Sequence, residues 1–122
     1  MSVKSSTLSD ILRSVNHFGS RDPVRVHGAN GPLPAWIAAS LAAQQSKSFV
    51  VLCPSEDLAE RLSSDLALLK RWTVEGAVDP IYLPAWESSP WGGIAPSMRV
   101  GFDRAAALQK IHFSSSPRLV FC

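Results

Sequence analysis

Charged residues are scarce in this chain, and neither sign is in clear excess. They account for 18% of the 122 residues and leave a net charge of +2. No run of five or more like charges occurs, so the sequence has no basic stripe of the kind that binds nucleic acid. Hydrophobic residues make up 46%, which excludes a disordered chain and allows one domain with a buried core.

Long apolar segments are also lacking. Residues 1–10 have no apolar core of the kind found in signal peptides, and the longest apolar stretch, residues 34–43, is interrupted by Ser40. Such a stretch is too short to span a bilayer, so we expect no membrane partner. The two cysteines, Cys53 and Cys122, each end an apolar run and are expected to be buried, reduced thiols, which fits a cytoplasmic location.

Common signatures of catalysis and metal binding are missing. His17, His27 and His112 are far apart and have no metal-ligand spacing with either cysteine, so no metal site is predicted. A free-standing α/β enzyme that uses Ser88 or Ser89 with His112 is an alternative, but there is no G-x-S-x-G elbow and nothing fixes the geometry of these residues. The sequence therefore assigns no catalytic residue.

The chain does contain a segment placed like a phosphate-binding loop. A predicted strand at 24–27 leads into a glycine turn and then into a helix with proline in its first turn. Strand, turn and helix are the setting of the P-loop, whose pattern is G-x-x-x-x-G-K-[ST]. Counted from Gly28, the second glycine of the pattern falls on Leu33, the lysine on Pro34 and the hydroxyl residue on Ala35.

These replacements remove the chemistry of the loop. Without the lysine no cation reaches the β- and γ-phosphates, and Ala35 offers no ligand to Mg²⁺. Pro32 and Pro34 also lack the backbone N–H groups that hold an anion. Three interpretations are open: Gly28 and Gly31 still bind a nucleotide, they only turn the chain, or an NTPase-like domain is kept as a scaffold after losing its ligand.

Helix and strand signals alternate along the whole chain. Helices are predicted at 7–17, at 34–43, after a cap at Ser55, and from a cap at Ser97 to about Phe113. Strands are predicted at 24–27, 48–53, 81–83 and 118–122, with 48–53 buried on both faces and a turn at Asp79-Pro80. This alternation predicts a three-layer α/β domain with a largely parallel sheet over residues 23–122, preceded by a helix and lead-in at 1–22.

Two further expectations concern packing and the end of the sequence. Leucines at helical spacing predict the buried side of the helix after Ser55: Leu58, Leu62, Leu66 and Leu69. The sequence stops on the predicted strand 118–122, which we interpret as a boundary that cuts off a larger domain at its C-terminal end. An exposed last strand of this kind could pair through its edge with a second copy.

Residues 84–96 are rich in Pro, Gly, Ser and Trp, and they resemble a signature of bacterial transcription-repair coupling factors. Seven residues fall on that signature and on the helix after it: Pro84, Trp86, Glu87, Ser88, Pro90, Pro96 and Arg104. Trp91 stands where the family has tyrosine, Gly92-Gly93 where it has an acidic residue, and Arg99 where an acidic residue is common. Two other segments also agree with the family: the defective phosphate loop, and the run 50–54 before a helix rich in Ala and Leu. The resemblance therefore covers roughly residues 20–122.

The resemblance implies a fold and a function. The fold is RecA-like, of the P-loop-NTPase type, similar to domain 1 of the excision-repair protein UvrB but with a degenerate nucleotide loop and no cofactor. In the family, the full-length protein displaces stalled RNA polymerase from double-stranded DNA with a C-terminal motor that uses ATP and Mg²⁺, and it recruits UvrA. The implied role of this fragment is a non-catalytic scaffold beside neighbouring subdomains. A UvrB-like repair helicase that binds nucleotide and DNA is the alternative.

Trp86, Glu87, Trp91, Arg99 and Arg104 are candidates for contact with DNA or with a neighbouring domain. The tryptophans could stack on bases while the arginines meet phosphates. Two tryptophans in a proline-rich loop also commonly pack over the end of a sheet, and the lack of a basic stripe favours packing. Glu87 is expected to pair with a helix terminus or an arginine, for which Arg104 is a candidate.

Overall fold

The computed structural model describes residue 10 and residues 25–73, 78–86, 91–93, 95 and 97–122. Helices and strands alternate in this part of the chain, as predicted: α1 Leu33–Gln45, β1 Phe49–Val51, α2 Glu56–Thr73, β2 Asp79–Tyr82, α3 Met98–Phe113 and β3 Arg118–Phe121. The helix predicted at 7–17, in the lead-in 1–22, lies outside the described residues apart from residue 10.

Two of the three helices begin at the serine caps that the sequence predicts. The Ser55 hydroxyl accepts a hydrogen bond from the Leu58 N–H, and the Ser97 hydroxyl accepts one from the Val100 N–H, each at 3.3 Å. Such a cap satisfies an N–H group that has no partner inside the helix, and it stabilises the helix by about 1 kcal/mol.

Helix α1 ends in a left-handed residue. Ser46 has φ 51°, and its N–H and that of Lys47 donate to the carbonyls of Ala43 and Ala42 at 3.3 and 3.2 Å. These bonds use carbonyl groups that the last helical turn would otherwise leave without partners. The chain therefore turns sharply after α1 and enters β1 three residues later.

The sheet has three parallel strands in the order β1-β3-β2. Phe49 and Val51 lie opposite Leu119 and Phe121, so the strand that comes last in the chain is the central one. The expectation of an exposed last strand is therefore wrong. The error arises because pairing order depends on tertiary contacts, and a run of apolar residues carries no information about its position in a sheet.

Two local strand predictions are also wrong. Residues 25–27 of the predicted strand 24–27 have no regular structure and are exposed, so no burial stabilises an extended segment there, while residue 24 lies outside the described part. Asp79 and Pro80 belong to β2 and do not form a turn. Proline is tolerated because β2 is an edge strand, where alternate N–H groups have no ladder partner to lose.

One face of the sheet packs against α1 and α2. Leu119 and Phe121 are fully buried there, beside Leu62 and Leu66 of α2, and Leu58 is partly buried against them. This confirms the centre of the predicted leucine stripe. Full burial of one such side chain stabilises the fold by about 1.5–3 kcal/mol, so this face supplies most of the packing energy.

Helix α1 is buried on two sides. Ala35 and Ala42 belong to the main core with α2 and β3, whereas Ile37 and Leu41 form a second cluster against which Phe49 packs. A helix in this position has no side that faces water along its whole length, and this explains why its sequence is apolar nearly all round.

The opposite face of the sheet is covered only in part. Helix α3 contacts β2 there and buries Ile81, which alternates with the core-facing residues of that strand. On β1 the same face is open, with Val50 64% and Leu52 83% exposed. The prediction that 48–53 is buried on both faces is therefore wrong for β1. Apolar side chains are also exposed on α3: Met98, Phe102 and Phe113.

Candidate functional site

The loop before α1 is a tight turn built on two glycines. Gly28 and Gly31 have φ values of +79° and +59°, a region that side chains other than glycine rarely adopt. The Leu33 N–H donates to the Asn30 carbonyl at 3.3 Å, which closes the turn at the first residue of the helix. Both glycines are thus required by the backbone conformation itself.

The three positions that replace the P-loop residues lie at the start of α1, and two of them pack into the core. Ala35 is completely buried in the main core, and Leu33 packs against the cluster of Ile37 and Leu41. Pro34 is half-buried and occupies the first turn, where its missing N–H interrupts no helical hydrogen bond. The residues that a nucleotide site would present to its ligand are therefore used for packing.

The N–H groups at this helix start are largely absent or engaged. Pro32 and Pro34 have none, and Leu33 donates its own to Asn30. The residue that precedes the helix, Pro32, gives no side-chain cap, and no acidic side chain lies in the first turn. An anion would therefore find few of the donors that make other helix N-termini attractive to phosphate.

A second arrangement lies where β2 ends. Residues 82–86, which we call the 82–86 segment, are held by Glu56 in the first turn of α2. Its Oε1 atom accepts hydrogen bonds from the Ala85 N–H at 2.7 Å and from the Tyr82 hydroxyl at 3.3 Å. Burial first, and then the charge of Glu56 and this hydrogen bond, raise the pKa of Tyr82 above its ordinary value.

The same segment is held from the other side by Arg104 of α3. Its guanidinium group donates a hydrogen bond to the carbonyl of the buried Pro84 and lies 4.7 Å from the ring centre of Trp86. A cation over an aromatic face is attracted by the ring, and the contact covers part of the Trp86 side chain, which is 52% exposed. The 82–86 segment therefore links the helices that lie on the two faces of the sheet.

Of the four residues predicted for contact with DNA or a neighbouring domain that the structure describes, Trp86 and Arg104 are in direct contact. Trp86 and Arg104 stack on each other, whereas Arg99 is exposed and pairs with Asp103 at 3.8 Å. Trp91 is 94% exposed. Glu87 lies outside the described residues, so its predicted pairing with Arg104 is not described.

Glu56 is the residue that the sequence analysis did not assign to this site. Its partners are 26 and 29 residues away in the chain, so no local pattern connects them. One signal was available, because the carboxyl ends of parallel strands meet at one edge of a sheet. Glu56 begins the helix that follows β1, and Tyr82 is the last residue of β2. An acid beginning a helix after one strand is therefore close to the loop after the other.

The remaining candidates for chemistry that the structure describes are two cysteines and His112. Cys53 and Cys122 are free, partly buried thiols, and burial followed by the neighbouring Cys122 raises the pKa of Cys53, which lowers its thiolate fraction and its reactivity. His112 is exposed with its ring edge against Phe113, and the serines at 88 and 89 lie outside the described residues.

An open groove lies beside the C-terminal end of α3. It has a volume of about 610 Å³ and runs between β2 and the end of α3, lined by Ile81, Lys110 and Phe113 among others. Ser114 donates a hydrogen bond to the Asp79 carboxylate there at 2.9 Å.

Among the residues that the structure describes, no His, Cys, Asp and Glu side chains form a group that could hold a metal ion. No described helix is long and apolar enough to span a bilayer.

Comparison with known proteins adds no relative to this description. The chain matches no protein-family model, and neither the curated proteins nor the solved structures yield a match.

Proposed function

We propose that this chain is a non-catalytic scaffold domain of the transcription-repair coupling factor type. In this proposal it has the RecA-like fold of UvrB domain 1, without a working nucleotide site, and it positions neighbouring subdomains of a larger protein. Recruitment of UvrA and displacement of RNA polymerase from double-stranded DNA would then belong to other parts of that protein, and ATP and Mg²⁺ to its motor.

The observation that carries the proposal is the start of α1. A phosphate-binding loop needs several backbone N–H groups, a lysine and a hydroxyl group directed at the ligand. Here two of the four residues 32–35 are prolines, Leu33 uses its N–H within the turn, and Ala35 is completely buried. The turn retains the two glycines of its backbone conformation but lacks the lysine and the hydroxyl group, and it offers few N–H groups that could bind phosphate.

The 82–86 segment supports the scaffold interpretation over a DNA-reading one. Arg104 is engaged by the Pro84 carbonyl and the Trp86 ring, so its charge already has partners within the domain. A tryptophan that reads single-stranded DNA presents a free ring face for base stacking, usually beside a positively charged groove. The exposed part of Trp86 is better suited to contact with a neighbouring domain.

Nucleotide binding is the experiment that tests the proposal. We expect no binding of a fluorescent ATP analogue with Mg²⁺ up to millimolar concentrations, which corresponds to less than about 4 kcal/mol of binding free energy. The variant Pro34→Lys should behave like the wild type, because Pro32 still lacks a donor and Ala35 still cannot hold magnesium. Binding tighter than millimolar by the wild type would favour the UvrB-like helicase instead.

A further inference from the structure

The two edges of the sheet differ in how open they are to another strand. On β2, Pro80 has no N–H group, so the outer edge of that strand cannot form a continuous ladder. On β1 the residues from 49 to 53 include neither proline nor a charged side chain. Natural sheets usually protect their edges with such residues, and β1 has none of them.

The hydrogen bonds of β1 identify the groups at its edge that have no partner among the described residues. The Val51 carbonyl accepts from the Cys122 N–H at 3.1 Å, and the Cys53 N–H donates to the Cys122 carbonyl at 2.7 Å. In a parallel ladder alternate residues face the neighbouring strand, so the N–H and C=O groups of Val50 and Leu52 point away from β3. Their side chains are also the exposed ones on the open face of the sheet.

We propose that this edge binds β1 of a second copy of the chain, antiparallel and centred on Val51. In that register Val50 of each copy lies opposite Leu52 of the other, and both pairs exchange N–H···O=C bonds across a two-fold axis. The four available groups of one edge are thereby matched by the same four groups of the other. The exposed Val50 and Leu52 side chains of both copies join into one apolar cluster.

Charge complementarity supports a second copy of the chain as the binding partner. The register places Lys47, four residues before the centre, opposite Ser55, four residues after it in the second copy. Asp57 lies in the first turn of the helix that begins after Ser55, and both Lys47 and Asp57 are exposed. Each lysine therefore approaches an aspartate of the other copy, and the two-fold axis produces this contact twice.

The first experiment tests the edge by sedimentation velocity from low micromolar to near-millimolar concentration. We expect concentration-dependent dimers of the wild type, none of Val50→Pro, and unchanged dimers of the isosteric control Val50→Thr. Proline at 50 removes an outward N–H and no bond to β3, and circular dichroism reports whether the variant is folded. Leu52→Lys, which keeps the backbone but charges the edge, is a second variant and should also be monomeric.

The second experiment tests the register. Lys47→Asp and Asp57→Lys should each weaken the dimer by about tenfold, because an attraction that occurs twice becomes a repulsion. The double variant should restore it. A wild type that is monomeric at every concentration overturns the proposal. Dimers that persist in both Val50→Pro and Leu52→Lys also overturn it. Failure of the double variant to restore association does so too, because only the antiparallel register brings Lys47 of one copy near Asp57 of the other.

Discussion

The two faces of the sheet are made of similar apolar residues but are buried to very different extents. On the face under α1 and α2, Leu119 and Phe121 have no exposed surface, whereas on the other face Leu52 of β1 is 83% exposed. Both faces have the composition of a parallel sheet, which is usually covered on each side. The α1–α2 face therefore supplies most of the burial that stabilises this domain, whereas the face shared by α3 and β1 leaves apolar side chains exposed.

The largest loss of stability should come from truncating a leucine of α2 that packs on the covered face. We expect Leu62→Ala to lower the free energy of unfolding by about 2–5 kcal/mol, because it leaves a cavity among buried side chains that cannot collapse freely. The matched control is Leu52→Ala on the open face, which should change it by no more than about 0.5 kcal/mol. Chemical denaturation of both variants measures the difference, and equal losses would mean that the two faces do not differ as described.

A smaller loss of stability is expected from a change in the 82–86 segment, which contacts helices on both faces of the sheet. Trp86→Ala removes the ring beneath the Arg104 guanidinium and should lower the free energy of unfolding by about 1 kcal/mol. Trp91→Ala is the control, since that side chain is 94% exposed, and its change should remain within about 0.5 kcal/mol. Thermal or chemical melts of the two variants provide the comparison.

The same variant also tests the DNA interpretation. A base stacked on Trp86 would contribute about 1–3 kcal/mol to single-strand binding, with strong salt dependence. We expect little or no binding by the wild type in titrations at two salt concentrations. Salt-sensitive micromolar binding that disappears in Trp86→Ala, without a change in the melt, would overturn the scaffold interpretation.

The smallest effect concerns the hydrogen bond between Tyr82 and Glu56. Tyr82 is the one tyrosine of the chain, so ultraviolet absorbance follows its ionisation alone. We expect its pKa to lie above the ordinary value of 10.0, and Glu56→Gln to lower it by removing the adjacent charge. A raised pKa in the folded state stabilises the protein below pH 10 and ceases to do so as pH rises through the folded pKa. An unchanged titration in Glu56→Gln would show that the pKa is raised by burial and by the charges of Glu60 and Asp57, without a contribution from Glu56.

Local features of this fold could be predicted from the sequence because they depend on neighbouring residues. The caps at Ser55 and Ser97 and the stripe through Leu62 and Leu66 follow from spacing along one helix. The missing groups of the phosphate-like loop could also be identified by position alone.

Features that depend on pairing could not be predicted in the same way. The central position of β3, the edge position that accommodates Pro80, and the open face of Val50 are decided by contacts between distant segments. The role of Glu56 could not be predicted for the same reason, because its partners belong to the end of another strand. Strands of three or four residues are too short for their sequence pattern to determine which strands they pair with.

The strand order has a consequence for how the chain acquires its structure during synthesis. Among the described residues β1 and β2 are not hydrogen-bonded to each other, and each pairs with β3, which comes after α3 in the chain. A ribosome releasing this sequence would therefore expose α1 and α2 first, and these can pack on each other, but no sheet can assemble until residues 118–121 have emerged. Such late, long-range pairing is slow to form, and until it happens β1 and β2 lack their shared partner strand and are open to capture by chaperones.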